Sequence, residues 1–150
     1  MKEDYTGAFD RAIASVEPQL KRVLKSIDEN EKADVYEIRL RSEKPVVLIT
    51  GKGTRFLTAE GALSQKASDE SLYCSVETIR DTFNRLCCFS VHSHLSGIVK
   101  GYITMEGGHR AGITGTAICD NKGNITSLKD VSGINIRISR EVFGAADKII

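Results

Sequence analysis

The sequence predicts an α+β fold in which helices pack on an antiparallel sheet, and three observations carry that prediction. Leu20, Val23, Leu24 and Ile27 fall at i, i+3, i+4 and i+7, the apolar stripe of a helix. Tyr36, Ile38 and Leu40 alternate with Glu37, Arg39 and Arg41, and Ile134-Asn135-Ile136-Arg137-Ile138 alternates in the same way, the period of half-buried strands. Glycine-bearing turns, Gly51-Lys52-Gly53, Glu106-Gly107-Gly108 and Asp120-Asn121-Lys122-Gly123, punctuate the segments at the spacing of hairpins.

The elements follow in order. A first helix is expected over Ala8 to Val16, ending before Pro18, and Pro18 then suits the opening turn of the helix that carries Leu20 to Ile27. Residues 1–30 therefore form a helical subregion. The acidic run Asp28-Glu29-Asn30-Glu31 is expected as a loop. After the first strand, Pro45 opens a more apolar one, Val46 to Ile49, and Arg55 to Leu57 return from the Gly51–Gly53 turn. Thr58 to Tyr73 shows no period and is expected as a loop or short helix. Ser75 is a good N-cap for a helix with Val76, Ile79, Phe83, Leu86 and Cys87 on its apolar face. A short helix is expected over Ser90 to Val99, then a strand at Tyr102 to Met105, and a long strand from His109 to Cys119 broken by Gly112 and Gly115.

The 150 residues make one ordinary domain, long enough to bury about 70% of its unfolded surface without staples. A net charge of +1, from 21 basic and 20 acidic residues, lacks the basic excess of a nucleic-acid binder. Lys21, Arg22 and Lys25 cluster, but Glu17, Asp28 and Glu29 flank them, which is the pattern of a solvated helix face. Met1-Lys2-Glu3-Asp4 lacks the apolar run of a secretory signal, and the longest apolar stretch, Val46 to Ile49, falls far short of the ~20 residues that span a bilayer. Cys74, Cys87, Cys88 and Cys119 form neither a C-x-x-C pair nor a zinc-ribbon spacing, so they are expected as small, reduced residues of a cytosolic protein.

No complete catalytic constellation emerges. The Gly-Lys pair Gly51-Lys52 is followed by Gly53 and has Val46 where a phosphate-cradling loop needs glycine, so no P-loop is present. His92, His94 and His109, with Glu106, can be written as a zinc set, but the spacing is not diagnostic, and the plainer expectation leaves His92 and His94 exposed and His109 on top of a turn. Cys87 or Cys88 beside a histidine lacks an activating context. The strand arginines Arg39, Arg41, Arg110 and Arg137 carry more information, because a permanent, planar charge on a rigid strand can contact a phosphate held by a neighbouring subunit.

Three blocks, Glu37-Ile38-Arg39-Leu40-Arg41 with Pro45, Gly101 to Gly112, and Leu128 to Ile138, resemble the N-terminal region of stage III sporulation protein AA of endospore-forming bacteria. The second is long and unusual, and the three together span most of Glu37 to Arg140; Ala111 stands where that family usually has valine, and the loop Ala59 to Tyr73 carries none of the resemblance. The family is similar to the hexameric secretion and pilus-retraction ATPases. The resemblance thus implies an N-terminal α+β domain like theirs, followed by an ATPase domain that binds ATP and Mg and would begin about where Lys148-Ile149-Ile150 close this chain. It implies an interaction and regulatory domain, not itself an enzyme, that helps to energise or gate the mother cell–forespore channel. Its partners would be its own ATPase domain, neighbouring subunits of a hexamer and the membrane-anchored stage III sporulation protein AB. Its place would be the cytoplasm on the mother-cell side, peripheral to the outer forespore membrane. By motif position, Glu37, Arg39, Arg41, Glu106, Gly107, Gly108, His109, Arg110, Gly112, Asn135 and Arg137 are the site candidates, with Arg110 and Arg137 reaching nucleotide in trans and no metal bound by this chain. The alternatives are a stand-alone nucleotide- or nucleic-acid-binding module and a small metal-dependent hydrolase.

Overall fold

The computed structural model describes residues 2–89 and 101–140. The element order is α1 Lys2–Ala12, α2 Pro18–Lys25, α3 Glu29–Lys32, β1 Val35–Arg41, β2 Lys44–Pro45, β3 Val47–Thr50, β4 Gly53–Leu57, β5 Leu63–Ser64, β6 Tyr73–Cys74, α4 Val76–Phe89, β7 Tyr102–Thr104, β8 Arg110–Cys119 and β9 Ile125–Arg137. Seven strands form one sheet in the order β5-β4-β3-β1-β9-β8-β7, antiparallel throughout, and β2 pairs with β6 in a separate two-stranded sheet. The expected α+β class, an antiparallel sheet carrying helices, is the observed one.

Cross-strand rows build the core. Leu48, Ile38, Ile136, Ala111 and Ile103 sit opposite one another across β3, β1, β9, β8 and β7, and each is at most 1% exposed. Leu40 and Ile134 add a second row. These residues join Phe9, Ile13, Leu24, Ile27, Ile79 and Leu86 from the helical segments in one cluster. Because side chains alternate across a strand, the residues between these rows point to the opposite, open face.

Local chemistry fixes the helix ends. The Glu17 carboxylate accepts from the N–H groups of Gln19 and Leu20 at 3.0 and 2.9 Å, and Pro18 occupies the first turn. The first helix lies earlier than Ala8 to Val16, and Ile13 to Val16 form turns in which Ile13 and Val16 are still buried. The acidic run is not a loop: Asp28 accepts from Asn30 N–H at 3.0 Å as an N-cap, and Glu29 and Glu31 favour the positive end of α3. Lys32, buried in α3, pairs with Asp10 and Glu29 at 3.3 Å and lies over the Phe9 ring.

Three strand expectations change. A bulge between Val35 and Glu37 breaks the alternation at the start of β1, so Val35 enters the core and Tyr36 is 55% exposed. Pro45 ends a short strand of the small sheet instead of opening the next one, and Val46 then carries the chain into β3. Thr58 to Tyr73 contains β5 and an isolated Thr58–Ser71 bridge but no helix. β9 begins well before Ile134, at Ile125, and runs beside β8 past the ends of their neighbours as an exposed two-stranded arm. Gly112 sits in regular pairing, so β8 is not broken there; the irregularity lies at Gly115, where an added Cβ would meet the Lys129 carbonyl oxygen at 3.1 Å. The helix expected over Ser90 to Val99 lies outside the described residues.

Candidate functional site

The open face of the sheet collects the polar residues that alternate with the core rows. Ile49, Glu37, Arg137, Arg110 and Thr104 form one cross-strand row, and Val47, Arg39, Asn135, Gly112 and Tyr102 form the next. Arg41 lies opposite Gly133 one step further on. Directly opposite residues have Cβ atoms about 4.5–5.5 Å apart, so Glu37, Arg137 and Arg110 are immediate neighbours.

Glu37 sits at the centre. Its carboxylate accepts from Arg137 Nε at 3.1 Å through Oε1 and from Arg39 Nε through Oε2. The two guanidinium groups roof it over, leaving its side chain 12% exposed while that of Arg137 is 78% exposed. Arg110 faces Arg137, a like-charge pair of the kind that costs stability. Its guanidinium lies 4.8 Å from the centre of the Tyr102 ring, a cation–π contact that holds it in place. Gly112, opposite Tyr102, presents no side chain to block that diagonal approach.

Glu37, Arg39, Arg110, Gly112, Asn135 and Arg137 are therefore gathered on one patch, with Arg41 at its edge. Glu106, Gly107, Gly108 and His109 are not: they form the turn joining β7 to β8, where Met105 N–H donates to the His109 carbonyl at 2.7 Å. The turn places Gly107 and Gly108 at φ 87° and 83°, which favours glycine. His109 does not top the turn as an exposed residue; it is 1% exposed. Its Nδ1 accepts from Ser139 N–H at 2.9 Å, so the proton of the neutral ring is on Nε2, which is buried and has no hydrogen-bond partner among the described residues. Arg140 crosses nearby, donating through Nη2 to the Lys32 carbonyl at 2.8 Å and through Nη1 to that of Val35. The two residues tie the strand leaving β9 to α3 and β1.

Burial, then the charges of Arg11 and Arg140, lower the His109 pKa from its ordinary 6.5. The unfolded chain then binds a proton that the folded chain resists. The stability contributed by neutral His109 is complete above the unfolded value of 6.5 and is lost as pH falls through the lower folded value. The urea midpoint of the wild type is expected to fall between pH 7 and pH 5 more steeply than that of His109→Gln; parallel profiles would show that His109 titrates freely.

Among the described residues, no group of three or more His, Cys, Asp or Glu side chains is placed to hold a metal, and His109 and Glu106 do not form one. His92, His94 and the Cys88 side chain lie outside the described residues. Cys74 is a core thiol whose pKa burial, and then Glu17, raise to about 11, so it is not a thiolate near neutral pH. Cys87 is half-buried and Cys119 exposed. Gly51-Lys52 is a hairpin turn between β3 and β4, and Lys21, Arg22 and Lys25 lie on α2. Among the described residues no helix is long and apolar enough to cross a membrane. Two features were not foreseen from sequence: Tyr102 as the platform for Arg110, and Glu37 as the common partner of two arginines. The i, i+2 spacing of Glu37 and Arg39, which puts both on one face of β1, was a signal for the second.

The family model described as sporulation stage III, protein AA matches residues 11–150. Stage III sporulation protein AA of Bacillus subtilis (strain 168) is 33% identical over 139 residues, which cover 92% of this chain and 41% of that protein. The chain thus spans less than half the length of this relative. No solved structure matches it.

Proposed function

The chain belongs to the sporulation stage III protein AA family, and on that premise we propose that it acts in sporulation as the N-terminal interaction and regulatory domain of a secretion-type ATPase. In this reading the ATPase energises or gates the channel between mother cell and forespore. The observation that carries the reading is the gathering of Arg39, Arg110 and Arg137 on one open, rigid sheet face. In a ring of subunits, such a face leans on the ATPase domain of the next subunit, and Arg110 and Arg137 contact the phosphates of its bound nucleotide. A cation delivered there stabilises charge in phosphoryl transfer, and nucleotide release lets the domain move as a rigid body.

ATP and Mg belong to the ATPase domain, and the chain by itself turns over no ATP. The ring is a hexamer in the cytoplasm of the mother cell, held against the outer forespore membrane through stage III sporulation protein AB. The test is charge reversal on the exposed face. In the full-length protein, Arg110→Glu is expected to abolish ATP-dependent ring assembly in sedimentation velocity. Assembly at the wild-type ATP concentration would remove the face from the subunit contact.

A further inference from the structure

We infer that Glu37 is a positioning residue, and that with it Arg39, Arg137 and Arg110 form a three-arginine site for a phosphate chain. The inference rests on the reading that this face meets the phosphates of a nucleotide held by the neighbouring subunit, and it adds Glu37 and Arg39 to the residues that reading requires.

The grip of Glu37 decides the matter. Each carboxylate oxygen takes one guanidinium, and takes it through Nε, the donor nearest the backbone. Both Nη groups of Arg39 and of Arg137 remain for another acceptor, and among the described residues neither makes another hydrogen bond. A carboxylate that only neutralised an arginine would commonly take it end-on or side-on through the fork itself. Here the carboxylate holds the Nε donors and leaves the Nη groups without a hydrogen-bond partner among the described residues. Arg110 adds a third guanidinium, steadied by Tyr102 and directly opposite Arg137.

Charge and geometry then select the ligand. Three guanidinium groups against one carboxylate leave an excess of positive charge, concentrated where a like-charge pair already weakens the sheet. One carboxylate ligand would occupy one fork. A polyphosphate presents oxygens in several directions and several negative charges, which is what adjacent planar forks on three rigid strands accommodate. The strands β1, β9 and β8 hold the stems, so little ordering remains to be done when the anion arrives.

The Glu37→Gln substitution separates positioning from bulk charge, because the two give opposite signs. Removing a negative charge from a merely cationic surface tightens anion binding. Removing a positioning carboxylate frees the arginine stems and weakens it. Binding of inorganic tripolyphosphate to the 150-residue chain, measured by calorimetry at about 0.15 M salt, is expected to weaken about tenfold in Glu37→Gln. Arg39→Lys keeps the charge and loses the fork, and a similar loss is expected. Its half-exposed side chain makes it the deciding variant should Glu37→Gln melt early. Tighter or unchanged binding in a folded Glu37→Gln, unchanged binding in Arg39→Lys, or no binding by the wild type overturns the inference. If the chain shows these losses while full-length Arg110→Glu still assembles rings, the site stands and the subunit contact proposed above fails.

Discussion

On the function proposed above, replacing Arg137 by alanine in the full-length protein is expected to lower ATPase turnover by about 10³-fold, the lower range for an arginine that reaches a transferring phosphoryl group from outside the ATPase core. The structural cost of the substitution is small. The Arg137 side chain is 78% exposed and its pair with Glu37 lies at the surface, so the fold loses at most about 1 kcal/mol. The neighbouring core residue Ile136 points the other way and is untouched. A large kinetic effect beside a small stability effect is the signature of a residue that acts on the reaction. Steady-state turnover and the thermal midpoint of the same preparation check both halves. Turnover within a few fold of wild type removes Arg137 from the nucleotide contact.

Arg137→Lys gives the finer reading. A lysine retains the charge but has no Nε for Glu37 to hold and no planar fork. If charge alone serves the reaction, Lys restores much of the rate; if the fork serves it, Lys resembles Ala. The second outcome is expected, because Glu37 holds Arg137 through Nε and leaves both Nη donors for the phosphate.

The fold class was legible because its signals are local. The stripe Leu20, Val23, Leu24 and Ile27 lies on α2 and just beyond it, and the alternation of Ile134 with Ile136 belongs to β9. Burial confirms the stripe at Leu20, Leu24 and Ile27, and both isoleucines. The motif arginines were legible as strand residues for the same reason. Their assembly into a patch was not, since it depends on β9 inserting between β1 and β8, a pairing that joins residues about a hundred positions apart. The burial of His109 was hidden likewise: a histidine directly after Gly107-Gly108 looks exposed until Ser139 donates to its ring and the charges of Arg11 and Arg140 come near it. The acidic run at Asp28 reads as a loop in sequence because it has charge without an apolar period. Its N-cap geometry and the burial of Lys32 make it a helical turn.

The bulge at Tyr36 can be tested by the same logic of alternation. Were β1 regular, Tyr36, Ile38 and Leu40 would share the core face, and truncating Tyr36 would cost as much as truncating Ile38. With the bulge between Val35 and Glu37, Tyr36 turns to solvent and Val35 takes its place. Ile38 sits at the middle of the core row with Leu48 on one side and Ile136 on the other, and is fully buried. Ile38→Ala removes apolar contact and leaves a cavity in the central strand, where backbone pairing on both sides prevents collapse; a loss of about 4 kcal/mol is expected. Tyr36→Ala is expected to cost about 1 kcal/mol or less, since more than half of the side chain is already in water. Urea titrations with equal slopes measure both. Losses of similar size would mean that the strand keeps its alternation through Tyr36, and that Glu37 enters the arginine face by a different register.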